Sequence, residues 1–82
     1  MTKRHEFTYL FKKAGSWIKK TKAFQVVGDY EQAKRTAAVQ AERFRRSFEQ
    51  ELSRDEMIQL CFMKAPQLYR KPQVTMELVS EK

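Results

Sequence analysis

Gly28 and Asp29 form the clearest break in this sequence, and they constrain how the chain divides into elements. Glycine readily adopts the left-handed conformation that ends many helices. An aspartate side chain accepts the first backbone bonds of a new helix, and Gln32, three residues later, completes a capping-box pattern. The pair therefore predicts that one helix ends at Gly28 and that another begins after Asp29.

The segment that follows has the apolar spacing of an amphipathic helix, which we predict over residues 30–51. Its small residues Ala37 and Ala41 allow a neighbouring element to approach closely, while Phe44 and Phe48 supply bulk for a core. The opposite surface carries charged pairs four positions apart, which stabilise an exposed helix. The predicted apolar face contains Tyr30, Ala33, Ala37, Ala41, Phe44, Phe48 and Leu52.

The segment before the break also shows helical spacing, and we predict a first helix there with a kink at Gly15. Trp17 falls on the apolar face of this helix, which predicts that it packs in the core. Phe7, Tyr9 and Phe11 also alternate, as in a strand, so a strand over residues 7–11 remains open. The apolar positions with helical spacing are Phe7, Leu10, Phe11, Ala14, Trp17, Ile18 and Phe24.

Ser53 and Glu56 form a second capping box, which predicts a short third helix that ends before Pro66. Its apolar residues are Met57, Ile58, Cys61 and Phe62. Beyond it, Val74, Met76 and Leu78 alternate with polar residues, the pattern of a half-buried strand. Such a strand needs a partner edge, which residues 7–11, a second copy or another protein could provide.

Together these segments predict a mainly α fold, a small bundle of about three helices with a C-terminal extended segment that can form a strand. We expect a helical domain with a basic N-terminal helix over residues 1–65, followed by an extended tail over residues 66–82.

Composition narrows the class of protein. Eighty-two residues allow one small domain, and a self-contained catalytic pocket is not expected at this length. One His and one Cys cannot supply a four-ligand zinc site, and we expect no metal and no cofactor. Neither a Gly-rich phosphate loop nor a GxSxG motif is present, and we expect no enzyme activity. A lone thiol at Cys61 fits a reducing cytoplasm. We expect no membrane span, because no run of about 18 apolar residues is present. We also expect no secretory signal, because no apolar core with a small-residue cleavage site follows the basic N-terminal residues.

The net charge of +7 is concentrated near the N-terminus, where residues 1–23 carry seven basic side chains and one acidic side chain. A field of this kind attracts nucleic acid or an acidic protein. The residues predicted to bind such a partner are Lys12, Lys13, Lys19 and Lys20, which would form one stripe on the first helix, together with Arg70 and Lys71. The residues predicted to form a protein interface, or a homodimer through the C-terminal segment, are Tyr69, Val74, Met76 and Leu78.

The stretch from Ala23 to Ala33, with Gly28, Tyr30 and Ala33 at its junction, resembles the helix–turn–helix junction of tetratricopeptide-like hairpins. It is also similar to the small bacterial PerC and ANR regulators, in which a Cys stands near the end of the domain, as Cys61 does here. That resemblance implies a small cytoplasmic protein that regulates transcription through DNA or through another regulator.

The sequence therefore predicts a small cytoplasmic regulator of bacterial or phage type that binds nucleic acid or a transcription factor without covalent chemistry. The alternative is a protein-interaction module, such as an inhibitor or an assembly subunit, that docks through its aromatic cluster or its C-terminal strand. A basic amphipathic helix on a membrane surface is a third possibility.

Overall fold

The computed structural model of the chain describes residues 3–82 and shows an α+β fold. Three strands form an antiparallel sheet in the order β2-β1-β3, and one long helix packs on one face of that sheet. The elements are β1 (Arg4–Lys13), β2 (Lys19–Val27), α1 (Tyr30–Phe62), a 3-10 turn (Pro66–Leu68) and β3 (Val74–Glu81). The predicted three-helix bundle is therefore wrong.

The predicted first helix is a β-hairpin, formed by β1 and β2. Phe7, Tyr9 and Phe11 alternate onto the inner face of the sheet, which is the face that contacts the helix, and all three are buried. Phe7 lies opposite Phe24, so both strands bury aromatic side chains on that face. The strand forms because its backbone pairs with the neighbouring strands while α1 buries every second side chain. Met1 and Thr2, the first residues of the predicted helical domain, lie outside the described residues.

β3 forms the strand that its alternating residues suggest, and β1 of the same chain is its partner. Phe11 lies opposite Met76, and Tyr9 lies opposite Leu78, with an irregularity in register between Thr8 and Tyr9. At the far end of this pairing, the backbones of Glu6 and Lys82 exchange two hydrogen bonds of 2.8 Å. The predicted boundary at residue 65 falls in the loop between α1 and the 3-10 turn.

α1 begins where the sequence predicts. The Gln32 N–H donates a 2.9 Å hydrogen bond to Asp29 Oδ1, which confirms Asp29 as the N-cap. Gly28, with φ of 141°, ends a strand and not a helix, so the predicted helix–turn–helix junction is wrong.

The predicted third helix is not separate, because α1 continues through Ser53 to Phe62. A capping box needs a non-helical residue at its first position, and nothing between Leu52 and Glu56 breaks a helix. The Ser53 hydroxyl hydrogen-bonds the Tyr69 hydroxyl instead of capping a new helix.

The core lies between the inner face of the sheet and the first two-thirds of α1. Ala33, Ala37 and Ala41 are buried where the helix comes close to the strands. Farther along α1, aromatic rings replace these methyl groups, and the centroids of Phe11 and Phe44 are 4.7 Å apart. Phe48 is the last fully buried residue of the helix, so the core ends well before the helix does.

Neither transcription regulation nor DNA binding finds support in this architecture. The resemblance that implies them belongs to a helical hairpin, whereas the described residues form a sheet with a single long helix.

Candidate interaction surface

The molecule is elongated, with extents of 58 × 18 × 13 Å, and its two ends differ. The proximal end holds the start of β1, the start of α1 and the end of β3. The distal end, which we define as residues 12–20 and 51–73, holds the hairpin turn, the last turns of α1 and the loop before β3. Bulky apolar side chains are left uncovered at the distal end.

The hairpin turn presents Trp17 to solvent. Gly15 adopts a φ of 70°, and the Ser16 N–H donates to the Lys13 carbonyl at 3.3 Å. The Lys13 N–H then donates to the Ile18 carbonyl at 3.0 Å, which closes the hairpin. Trp17 is 99% exposed and Ile18 is partly exposed, so this turn holds two apolar side chains outside the core.

The last turns of α1 extend beyond the sheet. A helix of 33 residues is about 50 Å long, whereas the eight residues of β3 span about 27 Å. Ile58 and Phe62 lie on this overhang and are 67% and 89% exposed. The loop that follows adds Met63 and Leu68, which are also exposed.

One side of α1 continues from the core to the overhang. Phe62 follows Phe44 by eighteen residues, about five turns of helix, so the two side chains point in the same direction from α1. Phe44 packs beside Phe24 and under Lys22 of β2. The side of α1 that contacts β2 near Phe44 therefore continues to Phe62.

The loop after α1 holds the overhang without covering it. Lys64 takes a positive φ of 58°, and the Lys64 and Ala65 N–H groups donate to carbonyls of the last helical turn. The chain then turns back, and Tyr69 bonds Ser53. These contacts fix the end of the helix but leave Ile58 and Phe62 in solvent.

The distal end is also the positive pole of the protein. It carries eight basic and three acidic side chains, so +5 of the total charge of +7 lies there. These are Lys12, Lys13, Lys19, Lys20, Arg54, Lys64, Arg70 and Lys71, and Glu51, Asp55 and Glu56.

The predicted lysine stripe is divided between the two faces of the sheet. Lys12 and Lys19 lie opposite each other on the outer face. Lys20 lies on the inner face, with its Nζ 5.3 Å from the centroid of the Phe48 ring. A single lysine stripe is therefore absent from the described hairpin, because the alternation of a strand sends neighbouring lysines to opposite faces.

Three of the predicted basic residues do come together. Lys13, Arg70 and Lys71 line one open cleft of about 330 Å³, with Glu56 at its wall. Their role in binding an anion stays a prediction.

The four residues predicted for a protein interface contribute to the fold. Val74 is buried; its N–H donates to Glu49 Oε2 at 2.9 Å, and its carbonyl accepts from Arg45 at 3.1 Å. Met76 and Leu78 pack against the core, and Tyr69 is half-buried against Ser53. Their predicted role in binding a partner remains untested.

Arg45 joins the helix to the start of β3 and also orders its own helix face. It donates to Glu42 at 2.7 Å and to Glu49 at 3.0 Å. The hydrogen bond from Arg45 is the main reason that the pKa of Glu42 lies below its usual value, and the same bond raises the pKa of Arg45. This charge network positions β3 and lies outside the distal surface.

Sequence reasoning missed the exposed apolar set of Trp17, Ile18, Ile58 and Phe62. Trp17 was predicted in a core because the helical spacing of residues 7–24 included it. The signal that could have found it is the Gly15–Ser16 pair, which places Trp17 in the turn of a hairpin once β1 is taken as a strand.

Within residues 3–82, no cluster of three or more His, Cys, Asp or Glu side chains could hold a metal ion. None of the helices in the same residues combines the length and the apolar character that crossing a membrane requires. Comparisons with protein-family models, with curated proteins and with solved structures found no significant match for this chain.

Proposed function

We propose that this chain is a small non-catalytic interaction module that docks on a partner protein through its distal end. The observation that carries the proposal is the exposure of Trp17, Ile58 and Phe62 beyond the end of the core. Large aromatic side chains supply much of the binding energy of protein interfaces, and exposed apolar side chains at one end of a molecule favour an interaction surface there.

The fold does not need these side chains for its own stability. The buried residues extend along α1 only as far as Phe48, and the overhang follows after that point. A helix gains most of its stability from the packing of an apolar face. An overhang with exposed Ile58 and Phe62 therefore gains stability when a partner covers it.

We place the protein in the cytoplasm as part of this proposal. Cys61 is a free and exposed thiol on the overhang, and exposed thiols persist in reducing compartments.

The test is a pull-down through a tag at the C-terminus, since β3 ends at the proximal end and leaves the distal surface free. Wild type and two double variants are each incubated with cell lysate. The distal variant is Trp17→Ser/Phe62→Ser. The matched control is Val27→Ser/Val39→Ser, which changes two exposed apolar residues outside the distal end. We expect one stoichiometric protein to be retained by wild type and by the control. The distal variant should retain at least about tenfold less of it.

Two further measurements make the result decisive. A photo-crosslinking residue at position 62 should join covalently to the retained protein, and one at position 39 should not. Equal retention by both double variants would overturn the proposal. Loss of the retained material after nuclease treatment would instead favour nucleic acid, the other partner that the charge suggests.

A further inference from the structure

We infer that two copies of this chain pair through their β2 strands and form one continuous six-stranded sheet. β1 occupies the middle of the sheet, so β2 and β3 are its two edges. An edge strand offers unpaired N–H and C=O groups to another strand. This interface differs from the proposed docking surface and goes beyond the proposed function, on which it does not depend.

Every second residue of β2 directs its backbone groups away from β1. Positions in an antiparallel pair alternate between hydrogen-bonded and non-hydrogen-bonded. The Lys13 N–H donates to the Ile18 carbonyl, so the even-numbered residues of β2 bond to β1. The Gly28 N–H donates to the Lys3 carbonyl in the same alternation. The odd-numbered residues face the free edge, where no group within residues 3–82 bonds them: Lys19, Thr21, Ala23, Gln25 and Val27.

The edge of β3 is less open than that of β2. The Val74 N–H already donates to Glu49, and the Val74 carbonyl already accepts from Arg45. The register of β3 also shifts opposite Thr8 and Tyr9, and an irregularity of this kind protects an edge from a further strand. β2 keeps one register with β1 over all nine of its residues, so a second strand can pair along its whole length.

The sequence of β2 is self-complementary when a second copy runs antiparallel to it. Its first four residues include three lysines, and its last five carry no charge. With Ala23 opposite Ala23 of the second copy, all the outward-facing residues of both strands pair. The same register places every lysine opposite an uncharged residue, with Lys19 opposite Val27 and Lys22 opposite Phe24.

The lysines oppose other registers, because like charges directly opposite each other destabilise a strand pair. Sliding the second copy by two residues in one direction places Lys22 opposite Lys22, and in the other direction it leaves Lys19 unpaired. In the full register the two Lys22 side chains are diagonal neighbours. Each cation lies over the Phe44 ring of its own chain, with Nζ 4.6 Å from the centroid, so both point toward their own helices.

The pairing leaves room for both helices. Residues that lie opposite each other in neighbouring strands share a face, so both copies of α1 lie on the same face of the six-stranded sheet. The two β1 strands are three strand spacings apart, about 14 Å, whereas packed helices need only about 8–10 Å. Because the β2 strands are antiparallel, the two distal ends point in opposite directions and remain free.

Ala23 gives the sharpest test, because it is paired with itself and its side chain is exposed on the outer face. Sedimentation of the full chain at rising concentration should show a reversible dimer. Ala23→Glu and Ala23→Lys each place like charges opposite each other, and each should weaken the dimer at least about tenfold. An equimolar mixture of the two variants should restore association, because opposite charges then face each other.

Thr75→Glu and Thr75→Lys are matched controls, since Thr75 is exposed on β3 at the other edge of the sheet. Both should dimerise like wild type, and far-ultraviolet circular dichroism shows whether each variant keeps the fold. Val27→Ser keeps the backbone groups that pair, so the control variant of the pull-down should also dimerise. Raising the salt from about 0.05 M to about 0.5 M should strengthen the dimer, because it screens repulsion between two chains of charge +7.

Several outcomes would contradict the inference. A monomer at every concentration up to about 1 mM removes the dimer. Weakening by the Thr75 variants and not by the Ala23 variants assigns the contact to β3. A mixture of the Ala23 variants that stays monomeric removes the self-paired register. Loss of the dimer in Phe62→Ser alone assigns it to the distal end. If the dimer forms while the pull-down fails, only the proposed function is overturned, and the reverse result overturns only this inference.

Discussion

The lysines of β2 lie on both faces of the sheet, so neighbouring lysines have different surroundings. Lys19 points to the outer face of the sheet, whereas Lys20 and Lys22 lie on the inner face at an open edge. The Lys22 Nζ is 4.6 Å from the centroid of Phe44, so its cation covers an aromatic ring of the core. Lysines on an edge strand also discourage pairing with other chains. Lys22 is therefore an exposed lysine whose cation covers the edge of the core.

We predict that Lys22→Gln lowers the free energy of unfolding by about 0.5–1 kcal/mol, because it removes a cation over an aromatic ring. Lys12→Gln is the matched control, since Lys12 is exposed and lies opposite Lys19 on the outer face. It should change stability by less than about 0.5 kcal/mol. Urea unfolding of the three proteins measures the difference, and equal losses in the two variants would show that the ring contact contributes nothing.

At the scale of elements, α1 is one helix in two environments. Its first part packs three alanines and then two phenylalanines against the sheet, and its last part carries apolar residues that are exposed. The helix continues between these parts because its sequence contains good helix formers and no proline or glycine. The same element therefore supplies both the core and the proposed docking surface.

Phe48 and Phe62 test this division. Phe48→Ala should lower the free energy of unfolding by about 3 kcal/mol, because it removes a buried ring. Phe62→Ala should change it by less than about 0.5 kcal/mol, because that ring is almost fully exposed. Thermal or urea unfolding gives both values. A large loss for Phe62→Ala would mean that the overhang is part of the fold and would weaken its assignment to a partner.

At the scale of the whole molecule, the N-terminal strand is the centre of the sheet, with β2 on one side and β3 on the other. Residues far apart in sequence therefore meet, because β3 pairs with β1 and α1 contacts all three strands. Stability is greatest where these elements overlap and falls toward the distal end.

Hydrogen exchange should follow this gradient. Amides of β1 that bond to both neighbours, and those of α1 between Ala37 and Phe48, should exchange slowest. Amides of α1 from Met57 to Phe62 should exchange at least about tenfold faster, because the overhang opens without disturbing the core. Uniform protection along the entire helix would contradict this picture of the molecule.

The sequence predicts those features that depend on near neighbours. The Asp29 cap depends on a residue three positions away, and it is confirmed. The predicted buried face of Ala37, Ala41, Phe44 and Phe48 depends on one helical period; it is confirmed except at Phe44, which is only partly buried. β1 is different, because its helical and strand patterns overlap in residues 7–11. The choice between them depends on pairing with β2 and β3, and β3 lies more than sixty residues away.

The candidate site follows the same limit. The sequence shows that basic residues are concentrated near the hairpin. Whether neighbouring lysines share a face depends on whether the segment is a strand or a helix. The predicted helix placed Lys12 and Lys20 in one stripe, whereas the strands place them on opposite faces of the sheet. The exposure of Trp17 and Phe62 depends on where the core ends. The length of the sheet relative to α1 sets that position, and no local sequence pattern reveals this relative length.

The paired hydrogen bonds between Glu6 and Lys82 also determine how the molecule would respond to force. β1 and β3 are antiparallel, and the start of β1 lies beside the end of β3 at the proximal end. Handles attached at residues 4 and 82 would pull across the ladder, because antiparallel hydrogen bonds lie perpendicular to the strands. The bonds would then carry the load one pair at a time, beginning with Glu6 and Lys82. The sheet would therefore open like a zipper from the proximal end, and the distal end would be the last part to feel the load.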